Sequence, residues 1–255
     1  MSSQGTVLRV GFFLDGYTLK KVNEYYFKYH RFHARLDFRA LKDWVRDYCM
    51  KLFAKDESLV ELDSHYYHPY VKFEDTNDSP LATGMERFEK QLMLAGIEMH
   101  YNLPEDADKM GPNMQLLEDA YLCASYHKID VMVLLSTQGQ YSSLPERLKR
   151  ERIPMLLLGW NFMYEKANST VYWRTDACLR ELSGYYVAME QVAEKLPPDR
   201  HSKKNLFLLP YGSHAQHSRN IWNTYLQNVI ASLDNPKSRF ENSGYEKSLA
   251  IARLG

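Results

Sequence analysis

Three apolar runs limit what this chain can fold into. "VLRVGFFLD" (7–15), "IDVMVLL" (129–135) and "IPMLLLG" (153–159) carry hydrophobic residues with almost no alternation. A strand with one face in water alternates apolar and polar side chains, whereas a strand covered on both faces reads as a near-continuous apolar run. The aromatic "LDSHYYHPYV" (62–71) and the short "IEMHYNL" (97–103) supply two further strands.

Helical patterns lie between the strands. "DFRALKDWVRDYCMKLF" (37–53) puts Leu41, Trp44, Val45, Tyr48 and Leu52 on one face, with Asp37 as N-cap. "SPLATGMERFEKQLMLAG" (79–96) has Ser79 as N-cap, Pro80 in the first turn and Gly96 as its stop. "GPNMQLLEDAYLCASYHK" (111–128), the short "YSSLPERLKRE" (141–151) and "DACLRELSGYYVAMEQVAEKL" (176–196) complete the set. The alternation predicts an α/β fold, a Rossmannoid parallel sheet of about five strands with helices on both faces.

"LPPDRHSKKN" (196–205) reads as a linker, dividing a 7–194 domain from a 195–255 linker and C-terminal helical extension. Ile221, Trp222, Tyr225, Leu226, Val229, Ile230 and Leu233 form an apolar stripe at helical spacing. That helix needs a covering surface, either the body of the protein or a partner, including a second copy of the chain. The net charge is zero, but residues from 195 onward carry nine Lys/Arg against four Asp/Glu, a balance of +5 that leaves −5 on the rest. The basic tail could meet an anionic partner or stay solvated. Cys49, Cys123 and Cys178 are dispersed and odd in number, which argues against a disulfide framework and a zinc knuckle; their helical settings predict burial. With no signal-peptide core and no apolar run near about 18 residues, the expectation is a soluble, cytoplasmic protein without a membrane partner.

In parallel sheets chemistry collects past the carboxyl ends of the strands. Asp15 ends the first strand, and "STQGQ" (136–140) follows the "IDVMVLL" strand, so both open onto one crevice. The helix before that strand carries Glu118 and Asp119, about 100° apart, so only one can face the crevice well. Carboxylates from separate elements meeting at a strand edge begin a magnesium site. Asp15 could equally cap the turn "DGYT", and Asp119 could be a solvated helix residue.

Other sites fail on residue type or geometry. Phe13 stands where a haloacid-dehalogenase phosphatase needs its aspartyl nucleophile, and "GPNMQLL" lacks the Lys-Ser/Thr ending of a P-loop. His65 and His68, three apart in a strand, point to opposite faces and cannot chelate together. The stretch "YYFKYHRFH" (25–33) could stack on single-stranded bases or serve as packing.

These blocks together resemble the NYN domain family, PIN-like ribonucleases that include LabA and DUF88 proteins, over residues 7 to 190. "FFLDGYTL" matches the family's apolar strand ending Asp-Gly-x-Asn-Leu, with Asp15 kept and Thr18 replacing the asparagine. "HYYHPYV" matches its tyrosine-bearing strand. "DKMGPNMQLLEDAYLCAS" supplies Lys109, Gly111, Asn113 in place of an aspartate, and Asp119-Ala120. "YHKIDVMVLLSTQGQYSSL" matches Asp, strand and Ser-Gly-Asp-x-Asp-Phe with Asp130, Ser136 and Tyr141, but with Gln138 and Gln140 where the family has aspartates.

The resemblance implies a PIN-like fold and a partner in RNA. In the family, clustered carboxylates hold magnesium, which activates water at the phosphate. Amides at Gln138, Gln140 and Asn113 remove three negative charges from that site. Asp15 and Asp119, with Glu118, would hold Mg2+ or Mn2+ only weakly, giving either a crippled nuclease that still binds RNA or an active ribonuclease working with these three acids. For RNA binding, Thr18, Asn113, Ser136, Gln138 and Gln140 are candidate hydrogen-bonding groups, and Lys20, Lys21 and Lys109 candidate cations. A third reading is a protein-interaction module built on the C-terminal helix.

Overall fold

The computed structural model describes residues 7–54, 59–68, 80–101, 112–166, 169–198 and 205–208. Strand β1 (Val7–Asp15) runs into helix α1 (Gly16–Lys28), followed by the short β2 (Arg35–Leu36), α2 (Phe38–Phe53) and β3 (Leu59–Tyr67). Next come α3 (Pro80–Leu94), β4 (Glu98–His100), α4 (Gln115–Ser125), β5 (Val131–Leu135), α5 (Leu144–Arg150) and β6 (Met155–Gly159). The remainder is a hairpin of β7 (Phe162–Lys166) and β8 (Ser169–Trp173), then α6 (Ala177–Leu182), β9 (Tyr185–Ala188), α7 (Met189–Lys195) and β10 (Phe207–Leu208).

The main sheet has six strands in the order β4-β3-β1-β5-β6-β9, and every neighbouring pair is parallel. All five expected strands are present. The sixth, β9, lies inside the segment read as one helix over 176–196. Asp176 caps α6 by accepting from the Leu179 amide at 2.9 Å. Ser183 then turns extended, and "YYVA" pairs with β6 through Val187 opposite Leu158. The aromatic and β-branched run outweighs the helical spacing of the apolar positions around it.

Successive side chains of the central strands go to opposite faces, producing two cores. Val10, Phe12 and Leu14 of β1, with Val133 and Leu158, pack under α1, α2, α3 and α7. Phe13, Met132, Leu134 and Leu157 pack under α4, α5 and α6. β5 and β6 are buried at every position, the physical basis of their unbroken apolar runs. Gly96 does stop α3, in the left-handed region at φ 64°.

Two parts of the fold go beyond the elements expected from the sequence. α1 directly continues β1 and buries Leu19, Val22 and Tyr26 at helical spacing, so residues 25–28 of the aromatic stretch are its last turn. The β7–β8 hairpin packs on α1, with Tyr25 stacked on Phe162 at 4.3 Å and Tyr29 on Tyr164 at 4.0 Å. Tyr26 is buried, and its hydroxyl accepts from the Trp160 indole at 3.2 Å. These rings from "YYFKYHRFH" are therefore engaged in packing.

Beyond the expected linker, Leu206 and Phe207 are buried and β10 pairs with β2. The 221–233 stripe, Ser79 and Lys109 lie outside the described residues. Of the cysteines, Cys49 is buried and Cys123 half-buried, but Cys178 is exposed, contrary to expectation, because it lies on the solvent side of the short α6. Among the described residues no helix is long and apolar enough to cross a membrane.

Candidate functional site at the β1–β5 edge

The chain leaves β1 toward β3 and β4 on one side and returns to β5, β6 and β9 on the other. The reversal falls between β1 and β5, where an open parallel sheet forms its crevice. Asp15 ends β1, and Ser136 follows β5. Their side chains meet there.

Asp15 is fully buried and its carboxylate is surrounded by donors. Oδ2 accepts from the Thr18 hydroxyl at 2.7 Å, the Ser136 hydroxyl at 2.9 Å and the Thr18 amide at 3.3 Å. Oδ1 accepts from the Tyr17 amide at 3.1 Å. The two amides belong to the first turn of α1, so Asp15 is its N-cap. Burial pushes this carboxyl above its ordinary range, and the hydrogen bonds from Thr18, Ser136 and Tyr17 oppose the shift.

The uncharged loop continues the network. The Thr18 and Thr137 hydroxyls lie 3.0 Å apart, and the Thr137 amide donates to Thr18 Oγ1 at 3.0 Å. The Gln138 amide donates to Ser136 Oγ at 3.1 Å, and its side-chain Nε2 donates to Thr137 Oγ1 at 2.9 Å. Gln140 is exposed. Gly139 is required by close approach, since a Cβ there would lie 2.7 Å from Asp176 Oδ2. Asp176, whose amide donates to the Thr137 carbonyl at 3.0 Å, is an edge carboxylate that sequence reading passed over. Its signal was the Thr-Asp pair before an apolar helix, a capping pattern.

Asn113 is buried and joins three segments. Its Nδ2 donates to the His68 carbonyl at 3.1 Å, its Oδ1 accepts from the Gln115 amide at 3.0 Å, and its carbonyl accepts from the Tyr141 hydroxyl at 3.1 Å. Asp119 is half-buried and accepts from the Tyr67 hydroxyl at 3.0 Å, while Glu118 is exposed. Tyr67 is the register partner of Asp15, so Asp119 reaches the edge one strand away from Asp15. Burial and the Asp119 carboxylate push the Tyr67 phenol up. Lys20 is exposed and lines a groove with Asn23, Phe38 and Gln91. Asp130 sits at the opposite end of β5 in a two-pronged pair with Arg9, at 2.6 and 3.0 Å.

The structure therefore joins Asp15, Thr18, Ser136 and Gln138 in one network and holds Asn113 and Asp119 at neighbouring strand ends. As arranged here the set offers magnesium little charge: Asp15 accepts from four donors, Asp119 lies one strand away beside Tyr67, and the 136–140 loop contributes only neutral oxygens.

A second cluster arises from pairing that no single stretch of sequence reveals. His65 of β3 is in register with Glu98 of β4, two residues before His100. His65 Nδ1 lies 3.1 Å from His100 Nε2 and 3.5 Å from Glu98 Oε2, and His65 Nε2 lies 3.0 Å from Asp63 Oδ2. Burial and the neighbouring His65 lower the His100 imidazole, favouring its neutral form. His65 and His68 do occupy opposite faces; the partner of His65 is on the adjacent strand.

No family model matches the chain. No curated protein is significantly similar to it. Among solved structures, a protein of unknown function from Vibrio parahaemolyticus is similar at 17% identity and a TM-score of 0.47, covering 74% of this chain and 96% of that one.

Proposed function

We propose that this chain is a PIN-like domain of the NYN type that binds single-stranded RNA at its β1–β5 edge without cleaving it. The observation that carries the reading is the commitment of Asp15. The carboxylate that would anchor a catalytic metal is buried and accepts from Thr18, Ser136 and the first turn of α1. The loop beside it, Ser136 to Gln140, carries hydroxyls and amides where metal-dependent hydrolysis would need acids.

A loop without acids at 136–140 suits a polyanion better than an empty carboxylate cluster does. The β7–β8 hairpin leaves the carboxyl end of β6 and approaches the start of α1, where Trp173 and Tyr17 rings lie 5.9 Å apart. Its Tyr172 is 62% exposed, with the Arg174 guanidinium over the ring at 5.9 Å. An exposed aromatic ring with a cation against it is the pairing that stacks a base and neutralises a phosphate. Gln138 and Gln140 then serve as hydrogen-bonding groups to phosphate or sugar.

Fluorescence anisotropy of a labelled single-stranded RNA, in EDTA and across a salt series, tests this reading. Binding that persists without divalent ions and weakens linearly with log salt supports it. An absence of binding at low salt would remove it.

A further inference from the structure

We propose that His65, Glu98 and His100 form a site for a single zinc ion, distinct from the β1–β5 edge and independent of any RNA-binding role. His65 Nδ1, His100 Nε2 and Glu98 Oε2 all lie within 4.8 Å of one another. Zinc held at 2.0–2.1 Å by imidazole places tetrahedral neighbours about 3.3 to 3.4 Å apart. The separations from His65 Nδ1, 3.1 Å to nitrogen and 3.5 Å to oxygen, straddle that value. Glu98 is 66% exposed, so its side chain is free to close the remaining gap.

The surroundings are those of a zinc-binding histidine. A metal-ligating imidazole donates its other ring N–H to a carboxylate, which selects the tautomer and orients the ring. Asp63 Oδ2, 3.0 Å from His65 Nε2, is placed to accept that N–H, and in the tautomer this selects, the lone pair of Nδ1 is turned to His100, 3.1 Å away. The rings are also held from the side: Phe13 stacks on His65 at 5.3 Å and Tyr67 on His100 at 4.5 Å with 8° between planes. Two carboxylates beside two imidazoles on the neighbouring β3 and β4 strands make a cluster whose charge a divalent cation balances. Two histidines and one carboxylate leave a fourth tetrahedral position for water or another ligand.

Chelator-stripped full-length protein, titrated with Zn2+ against a chromophoric competitor, tests the site. Co2+ titration, read by visible absorption, reports the geometry. The expected result is one tight equivalent that is weakened by about a hundredfold or more in His65→Ala and His100→Ala, and about ten- to a hundredfold in Asp63→Asn. Asp63→Asn should keep the shape of the Co2+ spectrum, because Asp63 orients a ligand without being one. Glu98→Gln changes an exposed side chain on an edge strand, so it keeps the comparison valid if a histidine variant misfolds. No tight equivalent in the unaltered protein would overturn the proposal. So would an unchanged affinity in Glu98→Gln and His100→Ala proteins with native circular dichroism.

Discussion

Ser136 donates its hydroxyl to Asp15 at 2.9 Å, closing a contact between residues 121 positions apart. This bond ties the end of β5 to the end of β1 and to the α1 N-cap, so three elements share one carboxylate. A buried hydrogen-bond network of this kind is costly to break, because every donor left behind is desolvated.

Asp15→Asn keeps the shape of the side chain but sets an amide N–H2 against groups that donate. Thermal or urea unfolding should show a loss of about 1–3 kcal/mol. A Ser136→Ala variant removes one donor and should lose less, about 1 kcal/mol. Unchanged stability in Asp15→Asn would contradict the assigned bonding.

The acids of β1 and β5 should give opposite pH signatures. The folded-state carboxyl of Asp15 is raised by burial, so between the ordinary aspartate value and the raised one the native state binds a proton that the unfolded chain releases. Its contribution is full below the ordinary aspartate range and falls as pH rises through the raised value. Asp130 is lowered by the Arg9 guanidinium, so its contribution is present above the ordinary value and lost as pH falls through the lowered one. With both partners over a third exposed, the Arg9–Asp130 term is at most about 1 kcal/mol. Stability–pH curves of Asp15→Asn and Asp130→Asn, measured against the unaltered protein, should differ in slope with opposite signs.

Gly139 and Asp176 should couple. Gly139→Ala drives a methyl against the Asp176 carboxylate and should destabilise by about 1–3 kcal/mol. Removing that carboxylate with Asp176→Ala also removes the α6 cap, worth about 1 kcal/mol. The double variant should be less destabilised than the two single effects predict together, and a double-mutant cycle with no coupling would contradict the contact.

Tyr172 of the hairpin and Arg174 just after it separate stacking from charge. Tyr172→Ala should weaken RNA binding by about 1–3 kcal/mol at all salt concentrations. Arg174→Ala should weaken it at low salt and reduce the slope of log affinity against log salt by about one. Both residues are well placed to leave folding intact, since they sit on the solvent side of β8 and the turn after it.

Much of this architecture is legible because burial writes itself into sequence. β5 and β6 are apolar at consecutive positions because helices cover both faces. The convergence of Asp15 with the 136–140 loop follows from strand order, and Asp15 realises its capping role while meeting Ser136. β9 was hidden because Leu179, Val187, Met189 and Ala193 fit a helical rhythm that Ser183 and Gly184 interrupt only briefly. The β7–β8 hairpin is half exposed and carries no long apolar run. The His65–His100 contact depends on the register between two strands, which neither strand encodes alone.

The most direct test of the RNA-binding account puts one labelled single-stranded RNA with the purified full-length chain in EDTA, Mg2+ and Mn2+, reading binding by anisotropy and integrity by denaturing gel. An Asp15→Asn/Asp119→Asn variant runs alongside as the background for contaminating nuclease. Binding in all three conditions, with RNA as intact as in the variant's background, is the expected result. Metal-dependent cleavage that disappears in the variant would contradict it and restore Asp15 and Asp119 to a catalytic role.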